Sequence, residues 1–270
     1  MKGILCAAVA AAAILASAGT ANAMTRVSFS SGVDYSSGDY GTGSDTEVIS
    51  VPLSARVTSG DWSVRVSVPY LQISGNANVV DVTDGGGAET GGGTITRSGT
   101  ERGFGDTTLS VTRSFTNLGG AHSGMYVDVT GRVRLPTGDD GKGLGVGATD
   151  YAIAGELGMS HRNHGGYVNV ARRFLGDPSG QDRQDGWQTN LGVWIRTGEH
   201  TTLGATYFWR EASFRGGAQP SEVGAYIAYR FDDKWRVSLN ASAGLSDGSP
   251  DESVGLRFTY RPTWLARHRG

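Results

Sequence analysis

Residues Trp235–Leu245 read "WRVSLNASAGL", and their alternation decides the fold. In an extended chain Trp235, Val237, Leu239, Ala241, Ala243 and Leu245 share one face. Arg236, Ser238, Asn240, Ser242 and Gly244 share the other. One face is apolar and the opposite face is polar and charged. A strand of about ten residues with that pattern fits a wall that has hydrocarbon on one side and water on the other.

The pattern recurs. "VGLRFTY" sets Val254, Leu256, Phe258 and Tyr260 against Gly255, Arg257 and Thr259. "VGAYIAYRF" sets Val223, Ala225, Ile227, Tyr229 and Phe231 against Gly224, Tyr226, Ala228 and Arg230. "WQTNLGVWIR" sets Trp187, Leu191, Val193 and Ile195 against Gln188, Asn190, Gly192 and Arg196. Twelve such segments are expected, at 25–36, 46–58, 61–73, 104–116, 123–136, 149–161, 166–175, 186–197, 201–213, 221–231, 235–246 and 252–262. Their connections alternate between short ("TSGD", "RNHGG", "TGEH", "DDK") and longer ("SGDYGTGSD", the Gly-rich 74–103, "TGDDGKGLGVGA", "GDPSGQDRQD"). Bacterial outer-membrane barrels alternate short periplasmic turns with longer extracellular loops in this way. The expected fold is all-β, a single antiparallel transmembrane barrel of about twelve strands over residues 24–262, with a short tail at 263–270.

The first residues give the compartment. Lys2 precedes the apolar run "ILCAAVAAAAILASA", and "ANA" at 21–23 offers the small residues that a signal peptidase reads. Residues 1–23 are expected to be a cleaved export signal, which leaves 23 basic against 26 acidic residues and no cysteine, because Cys6 goes with the signal. Disulfides, thiolate metal sites and a cysteine nucleophile are thereby excluded. A charge of −3 does not fit a nucleic-acid footprint. The expected partners are outer-membrane lipids, the barrel-assembly machinery and periplasmic chaperones during biogenesis, and a small-molecule solute. No cofactor or metal is expected.

Candidate functional residues follow from the inward parity. Arg56, Arg65, Arg132, Arg134, Arg196, Arg210, Arg230, Arg236 and Arg257 fall on the polar face. Asp34, Asp106, Asp128, Glu156 and Glu222 share it. Five of the arginines (Arg56, Arg65, Arg196, Arg230 and Arg236) are expected near the periplasmic end. Such a lining either filters solutes, as arginine rings do in anion pores, or fills the lumen as a salt-bridge ladder. Arg113 and either Arg172 or Arg173 fall on the outward parity. Aromatic residues are expected in two girdles, Trp62, Phe115, Phe231 and Trp235 near the short turns and Tyr70, Tyr151, Trp187 and Trp209 near the long loops. An enzyme is the rival class, but His122, His161, His164, His200 and His268 all map to short turns or the C-terminal tail, away from any external Asp or Ser that could complete a triad.

The stretch "RVRLPTGDDGKGLGVGATDY", Arg132–Tyr151, imitates a nucleotide loop and fails each test. Pro136 stands where a Walker loop needs its first glycine, and Gly143 follows Lys142 where Ser or Thr is required. Gly143, Gly145 and Ala148 match Gly-x-Gly-x-x-Ala, but "TDYAIAGELGMS" continues as a strand rather than a helix. Asp139 and Asp140 lack calcium-loop spacing. Pro136 closes a strand where no ladder donor is needed, Gly138 turns the chain, and Asp106 and Asp150 are expected to accept backbone hydrogen bonds or to pair with Arg132 or Arg134, fixing register. The loop stands outside as a rim or dips in as a gate.

Three ordered motifs carry a family resemblance: "VPYLQISG" (68–75), "GFGDTTLSVTRSF" (103–115) and "RLPTGDDGKGLGVGATDYAIAGELG" (134–158). Together they resemble the outer-membrane barrels of the MetA-pathway phenol-degradation, or transporter, family. The resemblance implies a barrel of this size that passes small solutes, aromatic or hydrophobic ones among them. The chain departs from the usual pattern at its end, where "RPTWLARHRG" continues past the aromatic Tyr260. The expected function is a passive channel for small solutes through an arginine-rich lumen. The alternative is a structural or surface-interaction barrel with a closed lumen.

Overall fold

The computed structural model describes residues 25–40, 44–75, 99–120, 123–178 and 182–262. The segment expected to be an export signal, the 263–270 tail, His122, His268 and most of the Gly-rich loop lie outside the described residues. Thirteen strands are described: β1 (Thr25–Gly38), β2 (Thr46–Ser59), β3 (Trp62–Gly75), β4 (Thr100–Phe104), β5 (Thr107–Leu118), β6 (Met125–Leu135), β7 (Asp150–His161), β8 (His164–Phe174), β9 (Gly186–Arg196), β10 (Thr201–Arg210), β11 (Ser221–Arg230), β12 (Trp235–Gly244) and β13 (Glu252–Tyr260). Each pairs antiparallel with its neighbours. The ring closes where β1 pairs β13, Phe29 opposite Tyr260 through Ser37 opposite Glu252. Strands β4 and β5 are one stave interrupted at Gly105–Asp106, so the wall is a closed barrel of twelve staves. The Gly-rich connection is shorter than the sequence suggests, because Thr100–Phe104 already pairs with β3.

That interruption is a bulge with a purpose. Tyr70 stands opposite Phe104, but Ser67 stands opposite Thr108, so the β4–β5 stave carries one extra residue. Pro69, inside β3, has no N–H to give, and its carbonyl accepts from the N–H of Gly105 at 2.8 Å. The extra residue shifts the parity of everything after it and turns Asp106 into the lumen.

The outward face is apolar. Val193, Ile153, Leu239, Val223 and Phe258 are exposed there, as a wall facing hydrocarbon requires. Tyr70, Tyr151 and Trp187 stand exposed near the long-loop end, and Trp62, Phe115, Phe231 and Trp235 near the short-turn end. Arg113 and Arg172 point outward, and both lie over rings. Arg113 sits 5.2 Å from Trp62 and 5.0 Å from Phe115, and Arg172 sits 5.4 Å from Trp187. Arg173 takes the inward place.

Inside, four rings are laid over glycines of a neighbouring strand: Tyr126 over Gly158, Tyr167 over Gly192, Tyr226 over Gly204 and Trp194 over Gly165. A Cβ at any of these glycines would collide with the ring. The glycines therefore let rings lie against the wall rather than project across the lumen.

Replacing the outward Leu239 by Arg should cost about 2–4 kcal/mol, the usual penalty for a cation facing the bilayer midplane. Urea unfolding in lipid vesicles measures it, and a loss well under 1 kcal/mol would put Leu239 outside the hydrocarbon.

Candidate functional site

Strand register, rather than sequence position alone, decides which inward arginines meet. Arg56 stands directly opposite Arg65, Arg65 opposite Ser110, Ser110 opposite Arg132, and Arg132 opposite Ala152, which faces Arg173. One tilted line therefore climbs from the short-turn end of β2 to the long-loop end of β8. Arg65 belongs with Arg132, not with Arg196, Arg230 and Arg236, which gather on the opposite wall at the short-turn end. The five expected there divide into two sets because barrel strands tilt, so equal counts from a turn are not equal places around the lumen.

The lumen is a succession of chambers. The first, about 120 Å³, is lined by Arg65, Arg132, Arg134, Arg173 and Arg257, with Asp34, Asp106 and Asp150 among them. A second of about 400 Å³ adjoins it at Asp34, Ser50 and Arg257 and is walled by Tyr167, Tyr226, Asn240 and Arg236. A third of about 200 Å³ adjoins the first at Arg132 and Gln188 and holds Glu156, Asn169 and Asn190. The last, about 120 Å³ at the short-turn end, meets the second at Arg236.

Charge near the long loops is neutralised within the protein. Asp150 receives both Arg183 guanidinium nitrogens at 2.7 and 2.9 Å, the Gly176 N–H at 2.8 Å and the guanidinium of Arg134. Arg257 donates to Asp34 at 3.3 Å, and Arg173 to the Ser213 hydroxyl at 3.1 Å. Glu222 accepts from Ser242 at 2.8 Å below the buried Arg210, whose guanidinium lies 5.6 Å from the Phe208 ring. Asp128 stands opposite Glu156, which accepts from Tyr126 at 2.9 Å and Asn169 at 3.2 Å. Parity could not find Arg183, which lies in the connection between β8 and β9. It also left Arg172 and Arg173 as alternatives, and it gave no weight to the inward tyrosines.

The loop 136–149 dips into the mouth. Asp106 accepts the N–H groups of Gly138 at 2.9 Å and Val146 at 2.8 Å. A tight turn, with Leu144 N–H to Asp139 carbonyl at 2.8 Å and Gly143 at φ 59°, then aims Leu144 inward. Leu144 is 1% exposed, packed with Tyr40, Val48, Leu71 and Ile73. Val48, Leu71 and Ile73 share the inward parity of Ser50 and Asp34, so this apolar plug sits inside the mouth. Gly138 and Gly145 touch backbone to backbone; a Cβ on Gly145 would meet the Gly138 Cα at 2.9 Å. Burial pushes the Tyr40 phenol up to about 12, and Glu222 and Asp251 add to the rise against a hydrogen bond shared with Ser36 that lowers it. Tyr40 therefore stays a neutral partner of the plug through the physiological range.

Of the described histidines, only His200 lines a chamber, the last one. His161 and His164 face each other across the β7–β8 turn, and His200 lies in the turn before β10.

No protein-family model matches the chain, and no curated protein matches it by sequence. Solved structures do match by shape. The KdgM porin in complex with disordered oligogalacturonate aligns with a TM-score of 0.53 at 6% identity, over 86% of this chain and 98% of that one. The NanC porin aligns with a TM-score of 0.53 at 10% identity, over the same shares. The P. putida toluene transporter TodX aligns at 0.45 with 11% identity, over 94% and 92%. At these identities the likeness to KdgM and NanC shows a shared porin barrel fold.

Replacing Asp106 by Ala removes the acceptor of two loop N–H groups and should loosen the plug. Trypsin should then cut after the exposed Lys142 several times faster while the barrel stays folded. An unchanged rate would mean that Leu144 alone holds the loop.

Proposed function

We propose that the chain is an outer-membrane channel that passes small anionic solutes down their concentration gradient. The observation that carries this reading is that the chambers meet at arginines, the first and second at Arg257, the first and third at Arg132, the second and last at Arg236. A solute crossing these three junctions passes a guanidinium at each, Arg257 with Asp34 beside it, which favours carboxylate or phosphate over cations; Tyr167 alone joins the second and third chambers. Porins of the same fold, one of them crystallised with the polyanion oligogalacturonate, lend support to the reading. Tyr167 and Tyr226 in the second chamber would accommodate a ring, in keeping with the aromatic solutes that the phenol-degradation resemblance implies. On this reading the N-terminal segment is the export signal, the short turns are periplasmic, the apolar face contacts outer-membrane lipid, and periplasmic chaperones and the assembly machinery insert the chain.

The plug at Leu144 favours a second reading, a structural barrel with a closed lumen. Planar-bilayer recording separates the two, since folded protein that carries no ion current excludes the channel. If current flows, Arg132→Ala with Arg257→Ala should lower the anion-to-cation permeability ratio severalfold. An unchanged ratio would make both residues structural.

A further inference from the structure

The two ends of the lumen balance their arginines differently. Near the long loops, Arg134 and Arg183 are ion-paired, and lower on the wall Arg257 pairs with Asp34. At the short-turn end, Arg196, Arg230, Arg236 and Arg261 surround the last chamber. Among the described residues none of these four makes an ion pair. Arg230 and Arg236 are direct cross-strand partners on the inward face, a like-charge juxtaposition that an antiparallel pair ordinarily avoids. The acidic residues nearby are held otherwise. Asp232 caps its own turn by accepting the N–H groups of Lys234 at 2.8 Å and Trp235 at 2.7 Å. Glu199 meets Arg230 through its backbone carbonyl, at 2.9 Å, rather than its carboxylate. Asp233 lines the chamber without reaching an arginine.

We infer that this chamber is an oxyanion-binding site, in which Arg230 and Arg236 grip a phosphate or carboxylate group from two adjacent strands and Arg196 closes on it from a third. Planar guanidiniums with parallel N–H groups match such an anion. Low-dielectric barrel walls focus their summed field on the chamber. Arg134, Arg183 and Arg257 are held by carboxylates, whereas a migrating anion meets guanidiniums at this end that no carboxylate of the described residues grips. The site deepens the channel reading by naming the group recognised, but occupancy requires no conduction, so the two can fail separately.

Arg196 overlies the ring of Trp194 at 5.8 Å, which makes indole emission a reporter. The full mature chain, refolded in detergent and checked by its heat-modifiable gel mobility, would be titrated with inorganic phosphate and, at matched ionic strength, with chloride. A saturable emission change with phosphate but not chloride is expected, and Arg236→Gln should weaken it at least tenfold. Arg230→Gln serves the same purpose should the first variant not fold. Galacturonate in place of phosphate shows whether a carboxylate is equally accepted. Identical, non-saturating phosphate and chloride curves would overturn the site, as would variants that titrate like the parent. Loss of conductance with intact phosphate binding would overturn only the channel.

Discussion

Every other feature of this molecule depends on the closure of one hydrogen-bond ladder. A sheet in hydrocarbon cannot leave an edge, because each unpaired backbone group there costs several kcal/mol with no water to replace the partner. The β1–β13 pairing removes the edge, and closure imposes tilt. Closure also fixes two populations of side chains, one apolar and outward, one polar and inward. The ladder is broken at a few places, one of them beside the short turn at Thr116–Leu118 and the others higher in the wall. Pro69 lacks a donor, Gly105 fills the gap, and β1 and β2 skip a pairing at Gly32–Val33 opposite Val51–Pro52. Such breaks are tolerated where they serve geometry, and here one of them aims Asp106 at a loop.

Charge in a narrow lumen poses a second constraint. The inward arginines cannot share a confined, partly dry space without counter-charges or water. The barrel meets this asymmetrically, with Asp150, Asp34 and Glu222 set among the arginines near the long loops. Those pairs stiffen the wall and reduce, without removing, the positive field that a solute meets there. Arg196, Arg230 and Arg236 have no such carboxylate partner among the described residues. Salt-bridge ladder and solute filter are therefore not competing descriptions of one arginine set; they apply to different parts of it.

The glycine-rich loop shows how a motif can mislead. Its glycines are spaced like a phosphate cradle, yet they serve contact with other backbone: Gly145 against Gly138, and Gly143 in a left-handed turn that delivers Leu144. Burying one leucine side chain contributes about 1.5–3 kcal/mol, and Asp106 adds two charge-assisted hydrogen bonds. Together these outweigh the tendency of a polar loop to stay in water.

Alternation of period two is a local property, so the sequence by itself determined the strands, the inward and outward faces, the short and long ends, and the inward placement of residues such as Arg132, Arg210 and Glu222. It also placed His161, His164 and His200 at short turns, where the structure has them. What only the tertiary structure decided depends on neighbours distant in the chain. Strand tilt separated Arg65 from Arg196 and joined it to Arg132. A loop delivered Arg183 to Asp150, and parity has no meaning in a loop. The apolar seat for Leu144 comes from β2, β3 and the β1–β2 connection, none adjacent to it in sequence. Parity names the face a side chain takes, whereas register and loop packing name its partner, and partnership is what divides the paired arginines of the mouth from the unpaired arginines of the exit.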